Sequence, residues 1–582
     1  MKLTQLKIKG FRNFKDATIN FSNKSLVIGS NDVGKTNLIY AIRILLDREL
    51  SDFDIEPKDS DFYAFEPTNE YSILIKFENI EEDCILAKIG HYVNDNGDLY
   101  LKYIATRNPE TRSKTYLLYA GFSEENLEEI QERYYRKVLN LKYIGCNRDL
   151  SSFIKRERKH LINDAKKNRD DEEKANDDGK LITIKRNLDL IDSDLNNLSF
   201  ISTSTTKINE ELDKLSIYHA GFNVCFDVGA SDVNTFIDNA KLGLKYNENP
   251  LTIGGDGKNN QIFLALWTAR NTIREENPFE VALYCIEEPE AHLHPHQQRK
   301  LAEYLSTTLK SQIIITTHSP QITSEFSPDS IIRLYEENSK TIAANEGCSE
   351  IIGNAIIDFG YRMSIIPAES FFANVVFLVE GPSEELFYKA LAKVIDIDLD
   401  KHNISILMVD GVGFEIYTKI LTALRIPWVI RTDNDIMRIP NKTVGRFAGI
   451  QRCLKIFQNY FEDSEMNEFI EKNKIHLSGF SIDDVPDENL IIAEEFIEKL
   501  REYNLFVAKK DLENDLINSE LKEIYEEYLA EIPPEEIENT MKKRKATFMY
   551  KFLLTYSSNL SILENDNLAS PLKRCHLIAL SN

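Results

Sequence analysis

The sequence predicts an α/β protein of two successive units: a phosphate-loop core with an antiparallel β-lobe and a helical insertion, then a second unit with a parallel central sheet. Three observations predict it. Gly29-Ser-Asn-Asp-Val-Gly-Lys-Thr36 sits between an apolar strand, Ser25–Ile28, and a helical stretch, Asn37–Leu46. Residues 70–120 alternate in polarity through several short runs. After Val375, apolar strands recur and end in acids.

The G-x-x-x-x-G-K-T spacing is that of a P-loop. Gly29, Asn31, Gly34, Lys35, Thr36 and Asn37 are its candidate nucleotide residues. The glycines let backbone N–H groups close around phosphates. Lys35 is expected to reach the β- and γ-phosphates of ATP, and the Thr36 hydroxyl to hold Mg²⁺.

The 582 residues allow two to four domains. No run approaches the roughly 18 apolar residues of a membrane span, and the N-terminus alternates like a strand, so a cytoplasmic protein is expected. Seven scattered cysteines without a C-x-x-C argue for reduced thiols and against a zinc ribbon. A net charge of −24 opposes nonspecific coating of nucleic acid, yet an acid-rich metal site contributes to such a charge.

Taken in order, Met1–Phe21 reads as two short strands joined at Gly10-Phe-Arg-Asn-Phe14. Within residues 70–120, Tyr71–Phe77, Cys84–Ile89, Leu99–Ile104 and Thr115–Tyr119 read as strands of a meander, with Asn94–Gly97 a turn. Residues 151–220 form the charged insertion, helical with a loop near Ala175–Gly179; its charge run suits a solvated face better than a DNA contact. Leu188, Leu190, Ile191, Leu195 and Leu198 make an apolar stripe for the core or for a second subunit.

Val281–Ile286 is a buried strand followed by Glu287-Glu-Pro-Glu290, a Walker B arrangement. Glu287 is expected to support Mg²⁺, and Glu288 to orient and deprotonate the attacking water. His318 closes another buried strand, Gln312–Thr317. His292, His294 and His296 alternate as a metal site can, although a loop after Walker B explains them better. In the second unit, Val375–Val379 ends at Glu380, Ile404–Val409 at Asp410, and Trp428–Ile430 leads into Arg431-Thr-Asp-Asn-Asp435. A glutamate and a later D-x-D at strand C-termini is the Toprim pattern, whose hard oxygens suit Mg²⁺ or Mn²⁺.

These motifs carry a resemblance. The Phe-Arg-Asn-Phe turn, P-loop, Walker B acids and His318 resemble the ABC-type ATPases of DNA repair, the SMC and RecF-like group. It implies that Arg12 and Asn13 lie near the nucleotide and that His318 is the switch histidine. Residues 70–120 match that group's β-lobe, and Leu251–Gln261 its signature segment, a feature that usually acts across a dimer. No glutamine stands convincingly for its Q-loop; Asp59–Phe62 occupies about that place.

An ATPase head followed by Toprim resembles the overcoming-lysogenization-defect (OLD) family nucleases over nearly the whole chain. This implies an ATPase domain over 1–345, a linker over 346–370 and a Toprim nuclease domain with a helical C-terminal part over 371–582. It also implies that Glu380 and Glu384 pair with Asp433 and Asp435, and that Asp511 and Glu513 complete a second metal position. A lysine then stabilises the transition state: Lys545, with Lys542 and Lys543 as rivals.

The expected function is nucleotide-regulated, metal-dependent cleavage of double-stranded DNA in antiphage defence, by two ions about 3.5–4 Å apart. The resemblance further implies a homo-oligomer, dimer or tetramer, and a helicase-like second subunit. The alternative is an ATPase of DNA repair, or a scaffold whose Toprim unit only docks partners or DNA.

Overall fold

Polar–apolar alternation builds the first sheet, because successive side chains of a strand point to opposite faces. The computed structural model describes residues 1–145, 158–159, 161–163, 165–166, 169–215, 224–225, 233–239, 244–246, 249–251, 279–291, 293–349, 368–409, 413–440, 442–482 and 484–581. The described chain starts with β1 (Lys2–Phe11), β2 (Phe14–Asn20) and β3 (Lys24–Ile28). β4 (Glu70–Glu78), β5 (Leu99–Arg107), β6 (Lys114–Gly121) and β7 (Leu127–Ile130) follow. β1, β2 and β4–β7 form one antiparallel sheet in the order β2-β1-β4-β5-β6-β7. Leu6, Ile8, Ile73, Ile75, Phe77, Leu101 and Tyr103 are fully buried on it. Phe77→Ala is expected to cost about 3–5 kcal/mol, the loss for emptying an aromatic core position.

Cys84–Ile89 is not a strand of this meander. Residues Asp83–Ile89 form a helix that buries Ile85 and Ile89, four apart. Six residues of mixed polarity fit a period of 2 or of 3.6, and burial of the i, i+4 pair decides for the helix.

The second sheet is the nucleotide-type core. It adds β8 (Leu139–Ile144), β11 (Val281–Glu287), β12 (Ile313–Thr316), β13 (Ile331–Glu337) and β14 (Lys340–Ala343), with the hairpin β9 (Leu244–Tyr246) and β10 (Asn249–Leu251) lying between β8 and β11 in the chain. The order is β14-β13-β3-β12-β11-β8, with β13, β3, β12, β11 and β8 parallel. Parallel strands buried on both faces read as continuous apolar runs, which is why Leu26–Ile28 and Ile313–Ile315 were legible.

The chain divides into two compact units. One is Met1–Cys146, Pro278–Ala291 and Pro295–Asn582; the other is Asn147–Asn277 with His292–His294. In the second unit, residues 175–179 are not a loop: they lie inside the helix Asp171–Asn196. A capping box at its start, Asp170 with Glu173, nucleates it and outweighs the cost of Gly179. Of the apolar stripe, Leu188 is buried, while Leu190, Ile191 and Leu198 are exposed. Residues 252–261 of the signature segment Leu251–Gln261, together with His292 and Asp410, lie outside the described residues.

The third sheet is wholly parallel: β15 (Val375–Val379), β16 (Ile404–Met408), β17 (Trp428–Thr432) and, after the small antiparallel sheet β18 (Ile436–Arg438), β19 (Gly445–Phe447) and β20 (Ser478–Phe480), β21 (Leu505–Val507). The order is β16-β15-β17-β21. Arg333 of β13 donates to the carbonyls of Leu424 and Arg425, each at 3.1 Å, just past the end of the helix Phe414–Ala423. Those C-terminal carbonyls have no intrahelical partner, so the guanidinium answers them.

Candidate functional site

Two sites form at strand C-termini. At the first, β3 runs into the P-loop and the helix Lys35–Leu46. Gly29 has φ +154°, and a Cβ there would lie 2.6 Å from the Leu334 carbonyl oxygen. Gly34 has φ +106°, and a Cβ would lie 2.1 Å from Asn13 Nδ2, so both positions require glycine. The helix N-terminus presents unpaired N–H groups beside exposed Thr36, and Asn31 is exposed on the loop.

Lys35 is buried, and its ammonium donates to the carbonyls of Gly29 (3.0 Å) and Ser30 (2.7 Å). Burial pulls its pKa down to about 8, against the opposing pull of Glu288, Asp32 and Glu290.

Register brings Glu287 of β11 level with Thr316 of β12, and Thr316 level with Val27 of β3. Glu287 is buried and accepts from the Tyr143 hydroxyl at 3.2 Å. Glu288 adopts φ +44°, unusual for a side chain with a Cβ, and its Oε1 lies 3.7 Å from His318 Nε2. His318 is held below the usual imidazole range by burial and then by Lys35. Glu290 fixes this corner by accepting from the Thr317 hydroxyl and the His318 N–H, both at 2.7 Å. Sequence reasoning gave Glu290 no role, although Glu-Glu-Pro-Glu displays it.

Arg12, at φ +51° in the β1–β2 turn, donates to Asp61 Oδ1 (3.0 and 2.9 Å) and to Asn37 Oδ1 (2.8 Å). Asn13 accepts from Asn37 at 2.8 Å and donates to the Val33 carbonyl at 2.7 Å. The turn thus clamps the loop and its helix. Buried Asp61, which anchors Arg12, lies in the stretch compared with the Q-loop and was given no individual role.

The second site lies at the C-terminal edge of the third sheet. Glu380 follows β15, Asp433 and Asp435 follow β17, and Asp511 and Glu513 follow β21. Glu384 stands in the first turn of the helix Pro382–Val394. Glu380 Oε1 accepts from the Asp433 N–H at 3.0 Å, from the Thr432 hydroxyl and from Arg452. Asp511 caps the helix Leu512–Ile517 through the Asn514 N–H at 2.8 Å, and its other oxygen pairs with Lys542 at 2.6 Å. Lys545 lies 2.8 Å from Glu513 Oε2 and 3.8 Å from Asp433 Oδ2. Among the three lysine candidates, Lys545 and Lys542 meet the acids, and Lys543 is exposed past the end of the helix Pro534–Lys542.

The acids are electrostatically coupled. Burial pushes Asp433 up to about 8, helped by Glu384 and Glu380 and opposed by Arg431. Burial also raises Glu384 and Asp435, the latter with help from Glu380 and Asp511. Arg431, on β17 beneath the site, pairs with Asp515 at 2.8 Å and stands 3.6 Å from Asp433. Sequence reasoning missed Arg431, Thr432, Arg452 and Asp515.

Among the described residues no three His, Cys, Asp or Glu side chains converge at ligating distance, and Glu380, Asp433, Asp511 and Glu513 are each turned onto an internal cation. The donors nevertheless fit a divalent ion. They are all carboxylate oxygens, and Asp433 Oδ1 is buried without a hydrogen-bond donor. Glu380, Glu384, Asp433, Asp435, Asp511 and Glu513 are the residues that would hold it.

Comparison with known proteins finds two matching stretches of the chain. The family model described as the AAA ATPase domain matches residues 1–323, and the TOPRIM domain of overcoming-lysogenization-defect-like proteins matches 371–435. Endonuclease GajA of Bacillus cereus (strain VD045) is 26% identical over 556 residues, covering 90% of this chain and 92% of that one. The Old nuclease of Escherichia phage P2 is 23% identical over 478 residues, covering 75% and 78%. Among solved structures, an Smc head bound to the C-winged helix domain of ScpA covers 59% of this chain and 97% of that one, at 18% identity and a TM-score of 0.37. Among the described residues no helix is long and apolar enough to cross a membrane.

Proposed function

Because the chain belongs to the AAA ATPase domain family over residues 1–323 and matches the Toprim domain of overcoming-lysogenization-defect-like proteins over 371–435, we propose that it is a metal-dependent DNA endonuclease regulated by nucleotide. The observation that carries this reading is that Glu380, Asp433, Asp511 and Glu513 lie along one sheet edge, paired there with Arg452, Lys542 and Lys545. The domain division that goes with it is a head over 1–345, a linker over 346–370 and a nuclease unit over 371–582.

Two divalent cations, when bound, supply an activated water and charge neutralisation at the leaving 3′-oxygen of a phosphodiester. Glu380, Glu384, Asp433, Asp435, Asp511 and Glu513 would hold them. Lys545 gives its ammonium to the charge that develops on the phosphate, as a preorganised donor does. In the head, Lys35, Thr36 and the P-loop amides bind ATP and its Mg²⁺; Glu287 supports that ion, Glu288 takes the proton of the attacking water, and His318 reads the γ-phosphate. Arg12 and Asn37 position the loop.

Similarity to GajA over most of both chains supports a role in antiphage defence of the Gabija type, with double-stranded DNA as substrate and a helicase-like second subunit. The signature-like segment Leu251–Gln261, of a kind that usually acts across a dimer, is the ground for a homo-oligomer, dimer or tetramer. The test is supercoiled plasmid incubated with the pure protein, Mg²⁺ or Mn²⁺ and an EDTA control, with and without ATP and the second subunit. The expected result is cutting only with metal, at a rate ATP changes. Intact plasmid with every divalent ion, partner present, contradicts the reading.

A further inference from the structure

The helix Ala448–Tyr460 starts directly on the D-x-D segment. The Ala448 N–H donates to the Asp435 carbonyl at 3.0 Å, and the Ile450 N–H to Asn434 Oδ1 at 3.2 Å. A Cβ on Gly449 would lie 2.2 Å from the Asp433 carbonyl oxygen, so no larger residue lets the helix seat this closely. One turn along, Arg452 reaches back to the sheet edge. Its Nη1 donates to Glu380 Oε1 at 2.5 Å and to the Thr432 hydroxyl.

A guanidinium carries five N–H donors in a planar fork. Here one nitrogen is committed to protein, while Nε and Nη2 have no hydrogen-bond partner among the described residues. The side chain is 32% exposed beside Glu380, itself 29% exposed, and its Cζ lies 5.6 Å from the Phe414 ring centroid. Asp433, Asp511 and Glu513 are almost fully buried at the same edge. The accessible cation of this acidic edge with an uncommitted fork is therefore Arg452, whose geometry matches two oxygens of a phosphate where a lysine offers a point charge.

We infer that Arg452 is a catalytic residue that grips the scissile DNA phosphodiester through its free guanidinium edge while its other nitrogen holds Glu380 in place. This rests on the nuclease reading of the same site. It gives Arg452 two partners at once, the carboxylate behind it and the phosphate in front.

The experiment compares full-length wild type, Arg452→Ala and Arg452→Lys. Single-turnover cleavage of a DNA duplex at saturating Mn²⁺ is measured beside Mn²⁺ binding by calorimetry and the melting temperature. Arg452→Ala is expected to bind Mn²⁺ at least as tightly as wild type, because a competing cation is gone. It should cut about 100-fold more slowly, the usual loss for one transition-state donor. Free guanidinium should restore part of that rate and sodium at equal ionic strength should not; Arg452→Lys should recover little. Wild-type cutting by Arg452→Ala at saturating Mn²⁺ overturns the inference, since metal alone would then make good the loss and Arg452 would be a support for Glu380 alone. If Arg452→Ala unfolds, Arg452→Lys decides: slow cutting by that variant supports the inference, and cutting at the wild-type rate overturns it. A wild-type protein that never cuts removes the nuclease reading and this inference together.

Discussion

The Lys545 ammonium lies 2.8 Å from the Glu513 carboxylate, which is 2% exposed. A buried carboxylate deprived of its cation pays a desolvation cost, about 1–3 kcal/mol here because the lysine is itself partly exposed. Lys545→Met should therefore lower the melting temperature in EDTA. Added Mg²⁺ should restore much of it, since the ion replaces the lost charge by mass action on the folded state. Cleavage at saturating metal should still fall at least about tenfold if, as proposed, Lys545 also serves the phosphate. Wild-type cleavage by Lys545→Met, with Lys542→Met inactive, would transfer the role to Lys542.

Nucleotide binding should depend on pH through Lys35. Burial sets its pKa at about 8 in the free protein, and bound phosphates favour the charged form. Below pH 8 the ammonium is already present and contributes no pH dependence. Above pH 8 it must regain a proton to bind, so affinity should fall by up to about tenfold per unit, with proton uptake. Calorimetry at pH 7, 8 and 9, in buffers of different ionisation enthalpy, measures both. A flat affinity without proton uptake contradicts this environment for Lys35. Lys35→Ala should bind ATP weakly at every pH.

Glu288→Gln should keep ATP binding and lose hydrolysis, because an amide cannot accept the water's proton. Gln keeps the shape of the side chain, so the strained backbone at φ +44° is not a confounding change. Phosphate release at the wild-type rate by this variant would place the base elsewhere.

What the sequence made legible was local. A P-loop, an acid pair after an apolar strand and a D-x-D all occupy a few consecutive residues, and backbone geometry fixes their relation. The partners of these groups were not legible, because they arrive from far along the chain. Arg452 is 72 residues from Glu380, and Tyr143 is 144 residues from Glu287. No periodicity encodes such a pairing. Cys84–Ile89 and Ala175–Gly179 failed for another reason: short or highly charged runs carry little periodic signal, and caps and burial chose the helix.

If the Toprim acids cut DNA at a site separate from the ATP site, the two activities can be lost independently. Asp511→Asn tests this most directly. Asn caps a helix as well as Asp, so the bond to the Asn514 N–H survives while the charge facing Lys542 is lost. The measurement is Mg²⁺-dependent plasmid cleavage by this variant, set beside its ATP affinity. Cleavage should fall at least about 100-fold with ATP affinity unchanged, since one lost ligand would misplace an ion at the reacting phosphate. Cleavage at the wild-type rate by folded Asp511→Asn would contradict the proposal.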